Sequence, residues 1–156
     1  MAIKITPGLA KYLLVTGCAQ DAFALGFIKF YSGSAPATAG AAPTGTLLWT
    51  VSVDGDDVTG ITWGATDAVV TSSTAVAMQK NPAEVWAGAT TAGTVGYFRV
   101  VGAADGADAD DNDPRIQGLV SMVPGSDFVM SNTTLTTNSS PTAKVISDFT
   151  VGLPLG

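Results

Sequence analysis

The chain contains no histidine and a single cysteine, Cys18, in 156 residues. Without an imidazole, neither a Ser-His-Asp nor a Cys-His nucleophile arrangement can be assembled, and the common catalytic zinc sets are out of reach. One thiol closes no internal disulfide and supplies no Cys-rich zinc site. Glutamate is almost missing too, since Glu84 is the only one. Paired carboxylates could run glycosidase chemistry, but Glu84 lies beside Pro82 at a strand start with no partner visible in the sequence. Charge of either sign is scarce. Asp, Glu, Lys and Arg make up 13% of residues, about half the usual share of a soluble domain. A net charge of −6 without a basic cluster argues against binding nucleic acid, which needs phosphates neutralised by Lys and Arg. Long apolar runs are lacking as well. Tyr12 to Val15 is too short to span a bilayer, and Met1 to Gly8 has no apolar core of a secretory signal. These absences predict no enzyme activity, no cofactor, no nucleic-acid partner, no membrane partner, and synthesis in the cytoplasm.

What fills the vacated positions is Ala, Gly, Thr and Ser, and the mean hydropathy is positive. An ordinary β-protein with a neutral hydroxyl-rich surface fits this balance. So does an exterior that meets other protein, because interface cores are depleted of charge.

Thr6-Pro7-Gly8 reads as an N-cap followed by Pro at the first helical position. Leu9, Tyr12, Leu13 and Thr16 recur at helical spacing until Gly17 stops them, which predicts one short helix. Phe23 to Leu25 fits helix continuation or loop. Phe27 to Tyr31 predicts a strand, Ser32 to Gly45 a long loop, and Thr46 to Val53 a strand alternating Leu48, Thr50 and Ser52 against Leu47, Trp49, Val51 and Val53. Asp54-Gly55-Asp56-Asp57 is turn chemistry. Ile61 to Trp63 and Val69 to Thr71 are candidate short strands, and Thr74 to Lys80 is ambiguous. Glu84 to Ala89, Val95 to Val101 and Arg115 to Ser121, separated by Gly- and Asp-rich punctuation, predict a β-meander. Asp127 to Ser131 is another short strand. Ala143 to Leu153 reads as one closing strand, with Val145, Ser147, Phe149, Val151 and Leu153 on one parity. Many short strands with frequent turns predict a mainly β fold, an antiparallel β-sandwich of jelly-roll-like or immunoglobulin-like form with one short N-terminal helix. A single domain over 1–156 is expected, with an extended N-terminal arm over about 1–6. The expected core comprises Trp49, Val51, Trp86, Phe98 or Tyr97, Val100, Ile116, Leu119, Phe149 and Val151.

Few residues offer site chemistry. Asp108, Asp110 and Asn112 have the spacing that begins an EF-hand loop. The pattern then fails, because Asp113 replaces the turn glycine and Leu119 the bidentate Glu, leaving a weak calcium candidate. The plainer expectation for Asp105 to Asp113 is a solvated hairpin tip. Asp54, Asp56 and Asp57 form a smaller acidic turn of the same kind. Asn132-Thr133-Thr134 and Asn138-Ser139-Ser140 match the glycosylation sequon but read more simply as polar loop. Tyr97 and Phe98 are neighbours on a strand and must face opposite ways, so one of them is exposed or covered by something other than the main core.

Several patches, in order and spanning about half of the chain, resemble small β-rich virion proteins of tailed bacteriophages. They are Ala2-Ile3-Lys4 with Gly8-Leu9, then Phe30-Tyr31-Ser32-Gly33-Ser34-Ala35-Pro36-Ala37, then Ala42-Pro43-Thr44-Gly45-Thr46-Leu47-Leu48. Gly93 to Val101 is similar to that group's central aromatic-Arg strand, Ile116-Gln117-Gly118 to the strand after it, and Val145 to Val151 to its closing strand. Trp63 to Glu84 and the acidic loop have no counterpart. The resemblance implies a non-enzymatic virion part. The leading expectation is a capsid decoration (cement) protein that binds the major capsid protein as a homo-oligomer, a trimer, in particles assembled in the host bacterial cytoplasm. Segments Met1 to Thr6 and Ser32 to Gly45 would then lie along neighbours. A tail-tube or tail-associated protein is the alternative, followed by a carbohydrate-binding β-sandwich module and then a hydrolase.

Overall fold

A computed structural model of the chain describes residues 3–64, 69–72, 75–147 and 149–154. The fold is mainly β. Its elements in chain order are β1 (Lys4–Ile5), α1 (Pro7–Val15), α2 (Ala19–Ala22), β2 (Phe27–Ser32), β3 (Leu47–Val53), β4 (Val69–Ser72), β5 (Ala75–Gln79), β6 (Trp86–Gly88), β7 (Gly93–Val101), β8 (Arg115–Ser121), β9 (Phe128–Val129), β10 (Thr134–Leu135), β11 (Lys144–Ile146) and β12 (Thr150–Pro154). A nine-stranded sheet runs β1-β8-β7-β2-β3-β6-β11, with β9 on β8 and β10 on β7; a three-stranded sheet runs β12-β5-β4. All pairings are antiparallel except β8 with β9. This pairing establishes one large open sheet and one small sheet. It does not establish the matched faces of a jelly roll or immunoglobulin domain.

α1 begins as its sequence requires. The Thr6 hydroxyl accepts from the Leu9 N–H, and Pro7 occupies the first turn, where its missing N–H costs nothing. Leu9 is buried, whereas Leu14 and Val15 stand exposed at the helix end. A second helix, the single turn α2, precedes Phe23. Phe23 to Leu25 does not continue it, because Leu25 takes a positive φ of 56°.

Two strand expectations are corrected. β6 does not form a meander with β7: it pairs with β3 and β11, while β7 pairs with β2 and β8. Thr90 instead remains bridged to Trp49 on β3 and to Asn138. The closing segment is two strands in different sheets, β11 on β6 and β12 on β5. Between them Phe149 turns inward among Trp63, Trp86, Phe98 and Phe128. The parity therefore breaks, with Ile146 buried and Val145 half exposed.

The apolar face of the large sheet carries the core. Ile28 and Phe30 of β2 lie opposite Val51 and Trp49 of β3 and opposite Val100 and Phe98 of β7. Phe30 stacks on Trp49 at 4.6 Å between ring centroids, and Trp63 meets Trp86 edge-on at 5.2 Å. Such contacts add to the area buried by each ring. Trp49, Val51, Trp86, Phe98, Val100, Ile116 and Phe149 are buried as expected. Leu119 is only half-buried, and the side chain of Val151 lies outside the described residues. Of the expected N-terminal arm, Lys4 and Ile5 pair with Gln117 and Ile116 of β8 and Thr6 caps α1, so the chain is tied to its own sheet from residue 4. Residues 1 and 2 lie outside the described residues.

Candidate functional site

The other face of the large sheet is polar, and strand register builds it. Lys29 of β2 lies opposite Arg99 of β7, Arg99 opposite Gln117 of β8, and Gln117 opposite Lys4 of β1. Arg99 and Arg115 are the only arginines in the chain, and both are fully buried. Their cover is the Ser32–Gly45 segment, which folds over the sheet as a strap. Arg99 Nη2 donates to the Ala41 carbonyl (2.8 Å), Gln117 Nε2 to Pro36 (3.0 Å), Lys4 Nζ to Ala37 (2.9 Å) and the Tyr97 hydroxyl to Thr44 (2.7 Å). Arg99 Nε also donates to Gln117 Oε1 at 2.9 Å. The strap is held by its backbone carbonyls, so its Ala, Gly and Thr side chains need carry no signal. The segment is therefore packed on the chain's own sheet. The parity reading of Tyr97 and Phe98 holds: Phe98 enters the core and Tyr97 is buried beneath the strap, stacked on Tyr31 at 5.1 Å. Burial pushes the Tyr31 phenol up to about 12, partly opposed by Arg99. Burial likewise raises Tyr97 and lowers Arg99, the latter opposed by the two tyrosines.

The acidic loop is folded around Arg115 and is not a free tip. Asp105, with a side chain 3% exposed, bridges Arg115 Nε and Lys29 Nζ, the second at 3.3 Å. Asp113 lies 3.2 Å from Arg115 Nη2, and the exposed Asp108 lies 3.7 Å from it. Arg115 Nη1 donates to the Asp108 carbonyl at 2.8 Å. Three segments then interlock. Gly8 N–H donates to Asp111 O (2.7 Å), Asp110 N–H to Gly40 O (2.9 Å), and the Thr6 hydroxyl to Asp113 O (2.6 Å). The calcium candidates do not converge: Asp108 faces Arg115, while Asp110 Oδ1 accepts from the Asn112 N–H and Nδ2 at 2.7 and 3.0 Å. These bonds hold the Asp110 carboxyl below the usual range. Among the described residues no group of three or more His, Cys, Asp or Glu is placed to hold a metal.

Glu84 is held by hydrogen bonds from a loop and from the core. Its carboxylate accepts from the Thr62 N–H (3.0 Å), the Thr62 hydroxyl (2.6 Å) and the Trp86 indole N–H (2.8 Å). Asn81 Nδ2 donates to the same Thr62 hydroxyl at 2.9 Å. The carboxylate fastens a loop to the aromatic core and faces no second acid. In the Asp54–Asp57 turn, Asp56 accepts from Val58 N–H, Thr59 N–H and the Thr59 hydroxyl, and the Thr59 bonds lower its pKa. Asp57 is raised, by burial and then by Asp56. Both sequon asparagines make local turns, Asn132 Oδ1 accepting from Thr134 N–H and Asn138 Oδ1 from Ser140 N–H.

Two stretches of unused surface are relevant to binding. A cleft of about 250 Å³ beside β11 is lined by Trp49, Phe128, Met130, Lys144 and Ile146 among others. The Trp49 indole N–H is buried with no hydrogen-bond partner among the described residues, and nothing in the sequence signalled that. Exposed large apolar side chains also gather after β8, where Met122, Val123 and Val129 are each more than half exposed; Val129 pairs with Ser121 on the adjoining strand. No helix among the described residues is long and apolar enough to cross a membrane. No protein-family model matches the chain, and no curated protein or solved structure matches it.

Proposed function

We propose that this chain is a non-enzymatic structural protein of a tailed-bacteriophage particle, a capsid decoration (cement) protein that binds the major capsid protein. The observation that carries the reading is the contrast between interior and exterior. Both arginines are buried and internally paired, and Glu84 is fully partnered. Meanwhile Leu14, Val15, Met122, Val123 and Val129 are exposed. The two guanidinium groups and the one glutamate are thus committed to the fold, and much of the exposed surface is apolar. The resemblance of the Phe30–Ala37 and Gly93–Val101 segments to small phage virion proteins points the same way.

Adhesion of such a part comes from apolar area removed from water, roughly 25 cal/mol per Å², less the cost of ordering the contacts. It acts as a symmetric oligomer, a trimer at capsid three-fold positions, since a part repeated over a shell meets symmetry-related sites. Few exposed ion pairs are available to screen, so the clasp resists salt. The test is to wash particles in molar salt and, separately, in mild denaturant, and to count copies of this chain per particle. Copies in step with the major capsid protein, kept in salt and released by denaturant, are expected. Copies that scale with tail length would assign it to the tail, and release by salt alone would overturn the apolar clasp.

A further inference from the structure

We infer that the open edge of β11 docks an extended segment of another polypeptide, one that carries an apolar residue and, two positions later, a carboxylate. β11 ends the path of the large sheet. Lys144, Val145 and Ile146 pair with Gly88, Ala87 and Trp86 on one side, and no described strand pairs with the other. Asp54 N–H donates to Val85 O, so the backbone groups of Val85 and Ala87 turn to β3 while those of Trp86 and Gly88 turn to Ile146 and Lys144. The outward groups of this edge are the N–H and C=O of Val145, unpaired groups of the kind through which extended peptides add to a sheet. The opposite end of the path is unlike it: β1 has two residues, and its Lys4 is bound to the strap.

The cleft of about 250 Å³ beside β11 supplies the second observation. Trp49, Phe128, Met130 and Ile146 contribute its apolar lining. Strand alternation fixes which side chains reach it. Ile146 lies opposite Trp86 and is buried, so Ile146 and Lys144 share the core face and Val145 takes the other. An antiparallel strand added to this edge passes Ile146 first and Lys144 two residues later on that same face. The position against Ile146 turns toward a cleft that mixes Trp49, Phe128 and Met130 with Ser131 and Ser147, and a small apolar side chain fits it. The position against Lys144 meets an ammonium 5.7 Å from the centroid of the Trp49 ring and without an ion-pair partner among the described residues. A carboxylate answers it. A lysine on an edge also discourages indiscriminate pairing, so the residue that attracts an acidic strand rejects a basic one.

The inference stands apart from the virion reading: particle washes test that, and peptide binding tests this. The probe is a fluorescein-labelled Ser-Thr-Val-Thr-Asp-Thr-Thr peptide, compared by anisotropy with its Asp-to-Lys counterpart and with a copy N-methylated at alternate amides. The intact chain should prefer the Asp peptide by roughly fivefold and lose the N-methylated one. Lys144→Glu should reverse the preference toward the Lys peptide, which also shows that the variant is folded. Equal binding of both peptides, no binding, or no reversal in Lys144→Glu would overturn the inference. So would a dimer of the free chain in sedimentation that Lys144→Glu dissociates, because the edge would then belong to a second copy.

Discussion

Arg115 is fully buried with Asp105 beside it, and a buried charge left without its partner is costly. Arg115→Ala is expected to lower unfolding free energy by about 3–5 kcal/mol, read from urea denaturation. The double variant Arg115→Met with Asp105→Leu should recover part of that loss, since replacing both members leaves no orphan charge. A second prediction concerns Tyr31. Its folded pKa of about 12 exceeds the ordinary 10.0, so between those values the native state holds a proton that the unfolded chain has lost. Its contribution is therefore complete below pH 10 and declines as pH rises toward 12. Melting temperatures across that window should fall less steeply in Tyr31→Phe. At this scale the sequence was partly legible. Tyr97 and Phe98 could be assigned to opposite faces because strand parity is local. Glu84 could not be read, because its partner Thr62 lies 22 residues away and no spacing rule links them. The aspartates of the acidic loop were visible as charge, but their focus on Arg115 depends on how the loop folds back.

Elements were readable where the signal was short-range and misread where a connection decided. α1 followed from Thr6 and Pro7, and β2, β3, β7 and β8 from apolar-aromatic runs. The meander held between β7 and β8 and failed between β6 and β7, because pairing partners are chosen by the whole sheet, and β2 and β3 lie between them. The closing strand failed because Phe149 leaves the ladder for the aromatic core, so that β11 and β12 pair in different sheets. The strap was opaque for a different reason: its carbonyls do the binding, and every residue has one. That strap, the acidic loop and the start of α1 meet with little room. A Cβ on Gly8 would fall 1.9 Å from the backbone oxygen of Asn112, a contact that only main-chain movement relieves. Gly8→Ala should cost about 1–3 kcal/mol even though Ala favours helices. Hydrogen exchange should rise at Gly8 and at Asp110, whose N–H groups bond Asp111 and Gly40 across the junction. An unchanged stability would show that the junction is looser than its geometry.

At the level of the whole molecule, contacts between distant parts of the chain dominate. The Arg115 N–H donates to the Thr6 hydroxyl across 109 residues, β1 cannot pair until β8 exists, and β11 returns to β6. Each such contact closes a long loop before any bond rewards it, so folding belongs in the millisecond-to-second range typical of non-local β topologies. The small sheet tests whether this behaviour is shared by the entire chain. It is covalently continuous with the core through Phe149, and Lys80 N–H donates to Phe149 O at 3.0 Å. Trp63, which bridges Lys80, packs on Trp86 in the same aromatic cluster. Met78 of β5 packs against the core cluster, and with the Lys80 bonds to Phe149 and Trp63 it couples the small sheet to the large one. Urea unfolding followed by tryptophan fluorescence, which reports the core, should coincide with the transition seen in far-ultraviolet circular dichroism, which reports all strands. Stopped-flow refolding should show one dominant phase slower than a millisecond. Separated transitions would set β4, β5 and β12 apart from the large sheet as a second unit.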